Sequence, residues 1–167
     1  MKHLLIFLLF PMLAHSQLMK KEELKHYTTW EYYKHDLPSL GAMFVSGMAD
    51  GLNQTLEFHY NDFQRVFPKA NPQYWNPAIS WTNKYKYGNY LAGSRFPGST
   101  TLFVGWTDGY HMTRTVEHGF IGAAVFLKLG RGESKKAWQY LLEALSYWAV
   151  NRVGMTAVYN IFTIKKL

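Results

Sequence analysis

The chain has 167 residues, of which 48% are hydrophobic and 17% aromatic, and a formal net charge of +7. This length predicts one domain. The absence of cysteine excludes disulfides, thiolate metal sites and a lipid-modified N-terminal cysteine. The basic excess favours an anionic membrane surface or an acidic ligand as partner, and the export predicted below argues against nucleic acid.

The N-terminus predicts export. A short basic start, Met1-Lys-His3, precedes the apolar run Leu4-Leu-Ile-Phe-Leu-Leu-Phe10 and the small-residue site Ala14-His-Ser16. This order is typical of a secretory signal peptide over residues 1–16, and the apolar run is too short to cross a bilayer. Cleavage would leave a single helical domain over residues 17–167. The alternative is a buried N-terminal helix.

The rest of the chain predicts helices separated by one long connection. Residues 17–40 are interpreted as a short helix or ordered arm that stops at Leu37-Pro-Ser39, and residues 41–67 as the first long helix, ended by Pro68. Residues 68–99 hold four of the six prolines and form an aromatic and basic connection.

Two further helices are predicted after the connection. The first covers residues 100–129 and ends at Gly130-Arg-Gly132. The second covers residues 134–164, with Ser134 as its N-cap and a candidate break at Gly154. No stretch alternates with period two. We therefore expect an all-α fold: a bundle of three to four main helices with a long, ordered, aromatic-rich loop.

The segment Thr107-Asp-Gly-Tyr-His-Met-Thr-Arg-Thr-Val-Glu-His118 places ionisable groups in an apolar region. At helical spacing, Asp108, His111, Thr115 and His118 share one side. This polar stripe is a solvated face, a structural network between helices or a functional site. Spacing lets Asp108 hold His111, and lets Arg114 reach Glu117 or His118.

A weak repeat connects two of the helices. Asp50-Gly-Leu-Asn-Gln-Thr55 resembles Asp108-Gly-Tyr-His-Met-Thr113. If the repeat is more than coincidence, the two helices pack with their polar stripes facing each other, and the glycines allow a close approach. A divalent metal could then bind among six candidate ligands, because bundle cores build carboxylate–histidine sites in this way. The candidates are Asp50, Glu57, Asp108, His111, His118 and Glu143.

Catalytic signatures are mostly absent. The chain has no phosphate-binding glycine loop and no Gly-x-Ser-x-Gly motif. Enzymes of phosphoryl transfer nevertheless use histidine to transfer protons and arginine to bind phosphate oxygens. A metal-dependent or phosphoryl-transfer hydrolase that uses Asp108, His111, Arg114 and His118 is therefore the alternative function.

The connection contains two Trp and three Tyr between residues 71 and 87, which a disordered linker would lack. These aromatic side chains either close one end of the bundle or form a ligand platform. Beside the basic residues, they would also suit a membrane interface or a sugar-binding surface. The candidate binding residues are Trp75, Trp81, Lys84 and Tyr85.

Three motifs together resemble a family of small exported or membrane-associated helical bacterial proteins without a known activity. The motifs are Phe44-x-x-Gly-x-x-Asp-Gly51, Trp75-Asn-Pro-x-x-Ser-Trp-x-Asn-Lys-Tyr85 and Thr107-Asp-Gly-Tyr-His-x-x-Arg114. The resemblance covers about residues 41–118. It implies that the polar stripe and the aromatic loop belong together, and it brings no cofactor or catalytic residue.

Membrane insertion is an open alternative at this point. Residues 119–129 are apolar except for Lys128, but the run is too short to cross a bilayer. Two inserted helices with a polar seam between them, and with Lys128, Arg131, Lys135 and Lys136 in a basic turn, are the integral inner-membrane alternative. The favoured interpretation is an exported, periplasmic or membrane-associated binding or structural module with a polar cluster between its helices.

Overall fold

The computed structural model describes residues 29–129 and 137–163, with side chains described from residue 34 onward. The predicted signal peptide, the Gly130-Arg-Gly132 turn and the Ser134 cap lie outside these residues. Six α-helices are present in the described part: α1 Thr29–Phe58, α2 Tyr60–Val66, α3 Pro72–Trp75, α4 Pro77–Ser80, α5 Gly109–Leu129 and α6 Ala137–Thr163. The described residues contain no strand, only an isolated antiparallel bridge between Tyr85 and Ser94, and the all-α prediction is confirmed.

Helix α1 differs from its prediction at both ends. Pro38 lies inside the helix, so the predicted stop at residues 37–39 is wrong. Proline removes one helical hydrogen bond, but the neighbouring Asp36 carboxylate binds Lys128 and Tyr147 at 3.0 and 2.8 Å. These contacts hold this turn of α1 against α5 and α6. The helix also ends earlier than predicted, because His59 adopts a non-helical conformation before α2 begins.

Helix α1 packs against both α5 and α6. Helix α5 runs antiparallel to α1, since Asn53 pairs with Thr113 whereas Asp36 pairs with Lys128. Helix α6 runs parallel to α1, since Gly47 faces Asn151 and Gly51 faces Met155. The chain thus passes along the bundle three times, and α1 is shared by the other two helices.

Glycines set the distance between α1 and α6. A Cβ atom on Gly51 would come within 2.4 Å of the Met155 carbonyl oxygen, and one on Gly154 within 2.3 Å of the Phe44 carbonyl oxygen. Helix α6 continues through Gly154 without interruption, so the predicted break there is wrong. Gly154 permits close helix approach instead of ending the helix.

One end of the bundle has an ordinary apolar core. Leu56, Phe63 and Phe162 are buried together, and Trp75 from the connection packs against them. The rings of Phe63 and Trp75 lie 5.4 Å apart, as close aromatic pairs do. Residues 60–108 therefore close this end of the bundle, and we call them the cap.

Away from the cap, the helices meet through small and polar side chains. Across all described residues, twelve polar or charged residues are buried but only six hydrophobic ones, three of which are alanines. Large apolar side chains on α5 and α6 are exposed instead. A water-soluble bundle has the opposite distribution, with its apolar stripe directed inward. Within the described ranges, no helix has both the length and the apolar character needed to cross a membrane.

Candidate functional site

The Asp108–His111 pair lies where the cap joins α5. The Asp108 backbone carbonyl accepts the N–H of Met112 at 3.0 Å, and its carboxylate accepts the N–H of His111 at 2.9 Å. These bonds make Asp108 the N-cap of α5. The ring Nδ1 of His111 also lies 2.8 and 2.9 Å from the two carboxylate oxygens, as the spacing predicted.

The carboxylate of Asp108 is buried and bears a negative charge. Burial by itself raises the pKa of Asp108, but the hydrogen bonds from the His111 ring and backbone, the charge of His111 and the Thr107 hydroxyl outweigh it, so the net shift is downward. Burial, together with the nearby Asp108 charge, raises the pKa of Tyr74. The negative charge of Asp108 therefore stabilises the start of α5, and the His111 and Thr107 groups around it stabilise that charge.

The two helices of the repeat pack together, but the polar residues of α1 meet α5 at Tyr110 and Thr113, which lie outside the predicted stripe. The Asn53 side chain donates to the Thr113 hydroxyl at 2.8 Å and to the Tyr110 carbonyl at 3.0 Å. The Tyr110 hydroxyl lies 3.4 Å from the Glu57 carboxylate. Asn53 is buried. Its contact fixes α1 against the first turns of α5, just after the N-cap residue Asp108.

The glycine of each segment allows a close approach. Gly51 lies against α6, as described above. A Cβ atom on Gly109 would come within 2.3 Å of the Trp75 ring. The two glycines thus face different neighbours, and the first residue of α5, Gly109, lies directly against Trp75 of the aromatic connection.

The remaining residues of the stripe are satisfied locally or exposed. Arg114 donates to Glu117 at 3.0 Å, which is one of the two predicted pairings. The guanidinium of Arg152 lies 3.5 Å from the Asp50 carboxylate, in the contact between α1 and α6. Within the stripe itself, Asp108 and His111 form a local pair, the Thr115 hydroxyl donates to the His111 carbonyl and His118 is exposed.

The six metal-ligand candidates do not gather at one point. Asp50 faces Arg152, Asp108 faces His111, and Glu143 accepts a hydrogen bond from Lys128 at 2.8 Å. In the part of the chain that the structure describes, no group of three or more His, Asp or Glu side chains could hold a metal ion.

The four candidate binding residues of the connection have different environments. Trp75 belongs to the apolar core of the cap, which corresponds to the end-closing interpretation. Trp81 is 45% exposed and meets the Tyr85 ring edge-on. The Lys84 ammonium lies 5.5 Å from the centre of the same ring, a cation–π distance.

A second ionic group, not predicted from the sequence, lies at the end of the bundle opposite the cap. The Lys128 ammonium donates to Asp36 at 3.0 Å and to Glu143 at 2.8 Å, and Tyr147 donates to Asp36. All three charged side chains are largely buried. Lys128 is therefore part of the bundle interior, although its neighbours in sequence suggested a solvent-exposed basic turn.

The spacing of small and polar residues along α1 and α6 could have predicted this polar interior. Glu143, Tyr147, Asn151 and Gly154 recur every three or four residues along α6, and Gly47 and Gly51 are four apart on α1. Small residues at this spacing let helix backbones approach, and polar side chains bond across such contacts.

Comparisons with family models, with characterised proteins and with solved structures give no match for this chain. The function must therefore be argued from the geometry of the molecule.

Proposed function

We propose that the chain is an exported cell-envelope protein, a helical bundle that binds a membrane through the apolar outer sides of α5 and α6. Its polar Asp, His, Arg and Lys groups hold the helices together and take no part in a reaction. The observation that carries this proposal is the reversal of the usual distribution, with a polar interior and an apolar exterior in the same helices.

On α6, the side that faces α1 includes Glu143, Tyr147, Asn151 and Gly154. The opposite side has large apolar side chains that are each more than half exposed: Trp138, Leu141, Leu142, Leu145, Trp148 and Val153. The C-terminal half of α5 has the same pattern, with Ala124 and Lys128 directed inward, whereas His111, Thr115 and His118 occupy the outer side of its N-terminal half. Phe126 and Leu129 are exposed on the outer side of the C-terminal half.

Exposed apolar surface on this scale requires a partner, since monomers in water rarely expose more than a few hundred Å² in one patch. Acyl chains fit it better than a second copy of the chain. Helices in lipid gain nothing from burying leucine against leucine, so they associate through small residues, close backbone contact and internal hydrogen bonds. Glycine contacts, the Asn53 and Asn151 amides and the Lys128 ion pairs are features of this kind.

The proposal predicts that wild-type protein sediments with phosphatidylcholine vesicles and that Leu142→Gln/Leu145→Gln weakens this binding. Both leucines are about half exposed. Moving a leucine fully from water into an apolar phase stabilises by about 1.5–3 kcal/mol, so two half-exposed leucines together contribute roughly 2 kcal/mol. The vesicle partition coefficient should fall about 30-fold.

The matched control is Ala144→Gln/Ala157→Gln, which places the same polar side chains at exposed positions of the same helix that lie, at helical spacing, outside the side formed by the large apolar residues. It should bind within a few-fold of wild type. A wild-type protein that ignores neutral vesicles and forms a discrete dimer in lipid-free buffer would assign the apolar surface to a second copy and end the membrane proposal.

A further inference from the structure

The charges of the cap are strongly segregated. From residue 63 to residue 107 the chain has no Asp or Glu, but it has five cations: Arg65, Lys69, Lys84, Lys86 and Arg95. The bordering acids are engaged, with Asp62 lying 3.1 Å from Arg65 and Asp108 paired with His111. Asp62 thus neutralises Arg65, and the remaining four cations, Lys69, Lys84, Lys86 and Arg95, give the cap a net positive charge.

A short irregular hairpin, residues 84–95, brings two of these cations together. The Lys86 N–H donates to the Gly93 carbonyl and the Arg95 N–H to the Lys84 carbonyl, both at 3.0 Å. Lys86 and Arg95 consequently line one open groove of about 780 Å³. No acidic side chain lines this groove.

The groups left to meet a ligand in the groove are mainly donors. The Asn83 amide is used internally, since its nitrogen donates to the carbonyls of Gln73 and Thr107 and its oxygen accepts from the Gln73 side chain. What remains is the Lys86 ammonium, the Arg95 guanidinium and the Tyr85 hydroxyl. Guanidinium and ammonium groups are the donors that bind phosphate oxygens.

The tip of the hairpin is apolar. Tyr90 is 63% exposed and Leu91 77% exposed, and the side chain of Tyr87 is almost entirely in solvent. Tyr87 and Gly88 both have positive φ, 57° and 70°, and the Asn89 N–H donates to the Lys86 carbonyl. This backbone is a type I′ turn, for which Asn-Gly is favoured, so Tyr87 adopts its conformation here at an energetic cost.

We propose that this groove binds the phosphate of an anionic phospholipid headgroup, with Lys86 and Arg95 on the phosphate and the Tyr87–Leu91 tip among the neighbouring lipids. Aromatic side chains beside cations are characteristic of the membrane interface. A bundle that lies along the membrane surface, with the outer sides of its helices among the acyl chains, places its cap at the level of the headgroups. The inference thus rests on the proposed function and adds its lipid preference.

The test is vesicle binding at about 0.15 M salt, where attraction between exposed charges is screened beyond roughly 8 Å. Vesicles of phosphatidylcholine alone are compared with vesicles in which part of this lipid is replaced by phosphatidylglycerol. Wild type should prefer the anionic vesicles. Lys86→Gln/Arg95→Gln should reduce that preference about 30-fold, or roughly fivefold per cation, and leave binding to neutral vesicles unchanged.

Two further variants separate the effect of the groove from the effects of net charge and of folding. Lys69→Gln removes an exposed cation of the cap outside the groove, and it should change the preference less than Arg95→Gln does. Tyr87→Asn keeps the turn geometry and should fold at least as well as wild type, but it should weaken binding to both kinds of vesicle.

The outcomes separate this inference from the proposed function. Binding to neutral vesicles with no preference for phosphatidylglycerol would overturn the headgroup site and keep the membrane proposal. If Lys69→Gln and Arg95→Gln lowered the preference for anionic vesicles equally, the preference would come from the net charge of the cap and not from the groove. Binding of free glycerol phosphate without any preference for anionic vesicles would assign the groove to a soluble phosphate ligand.

Discussion

Asp108 shows how one side chain can satisfy two requirements at the start of α5. Its carboxylate caps the helix and accepts from the His111 ring. Asp108→Ala should lower the free energy of unfolding by about 2–4 kcal/mol, about 1 for the cap and 1–3 for the His111 donor left unpaired. Asp108→Asn keeps a good cap and should cost less. Denaturant unfolding at neutral pH measures both, and His118→Ala, at an exposed position, should lie within about 0.5 kcal/mol of wild type.

The same residue predicts a pH dependence. The folded-state pKa of Asp108 is below its ordinary value of 3.8, so its charge stabilises the fold above that pH. This contribution is lost as the pH falls through the folded-state value. The stability difference between wild type and Asp108→Asn should therefore shrink on acidification. A difference that is constant with pH would show that the Asp108 charge is not involved.

Contacts between nearby residues were accessible from the sequence. Helical spacing predicted that Asp108 holds His111 and that Arg114 reaches Glu117, because residues three apart are neighbours on any helix. The Lys128 pairs with Asp36 and Glu143 were not predicted, because they depend on the antiparallel register of α1 and α5 and on the return of α6. No local pattern specifies those.

At the scale of the helices, replacing a glycine by alanine should have opposite effects on stability at different positions. A Cβ atom on Gly154 would lie 2.3 Å from the Phe44 carbonyl oxygen, whereas one on Gly122 would meet nothing within 4 Å. Gly154→Ala should therefore destabilise by about 1–3 kcal/mol through overpacking between backbones. Gly122→Ala should stabilise by up to about 1 kcal/mol through helix propensity.

Thermal and denaturant unfolding of the two variants measures the change in the free energy of unfolding, which should be of opposite sign for the two substitutions. If both substitutions stabilise the protein, α1 and α6 are not packed through Gly154. A far-ultraviolet spectrum that keeps its helical signal would show that Gly154→Ala acts on packing and not on helix formation.

Helix existence was easier to predict than helix boundaries. Helix-ending residues and the absence of period-two alternation located α1, α5 and α6, but Pro38 lies within α1 and Gly154 within α6. In both places contacts between helices outweigh a local preference, with Asp36 binding Lys128 next to Pro38 and the α1 backbone lying against Gly154. Propensity is a weak prior where packing decides.

At the scale of the whole molecule, the decisive property is which side of each helix faces inward. The sequence identified polar groups on helical sides but could not say which sides pack together. At helical spacing, Val125 and Leu129 lie on nearly the same side of α5 as the polar stripe. In the structure both are exposed, while Asn53, Asp108, Lys128 and Glu143 supply the contacts between elements.

This arrangement predicts how the protein responds to detergent. In buffer alone the outer sides of α5 and α6 face water, so the protein should self-associate without a fixed stoichiometry. In dodecyl maltoside micelles it should be monomeric, and its thermal unfolding temperature should rise, since a ligand that covers only the folded state stabilises it. Leu142→Gln/Leu145→Gln should reduce both effects, whereas Ala144→Gln/Ala157→Gln should not. Size-exclusion chromatography with light scattering and circular dichroism provide the two measurements. A chain that is monomeric in buffer, with an unfolding temperature that micelles leave unchanged, would show that its apolar exterior needs no lipid.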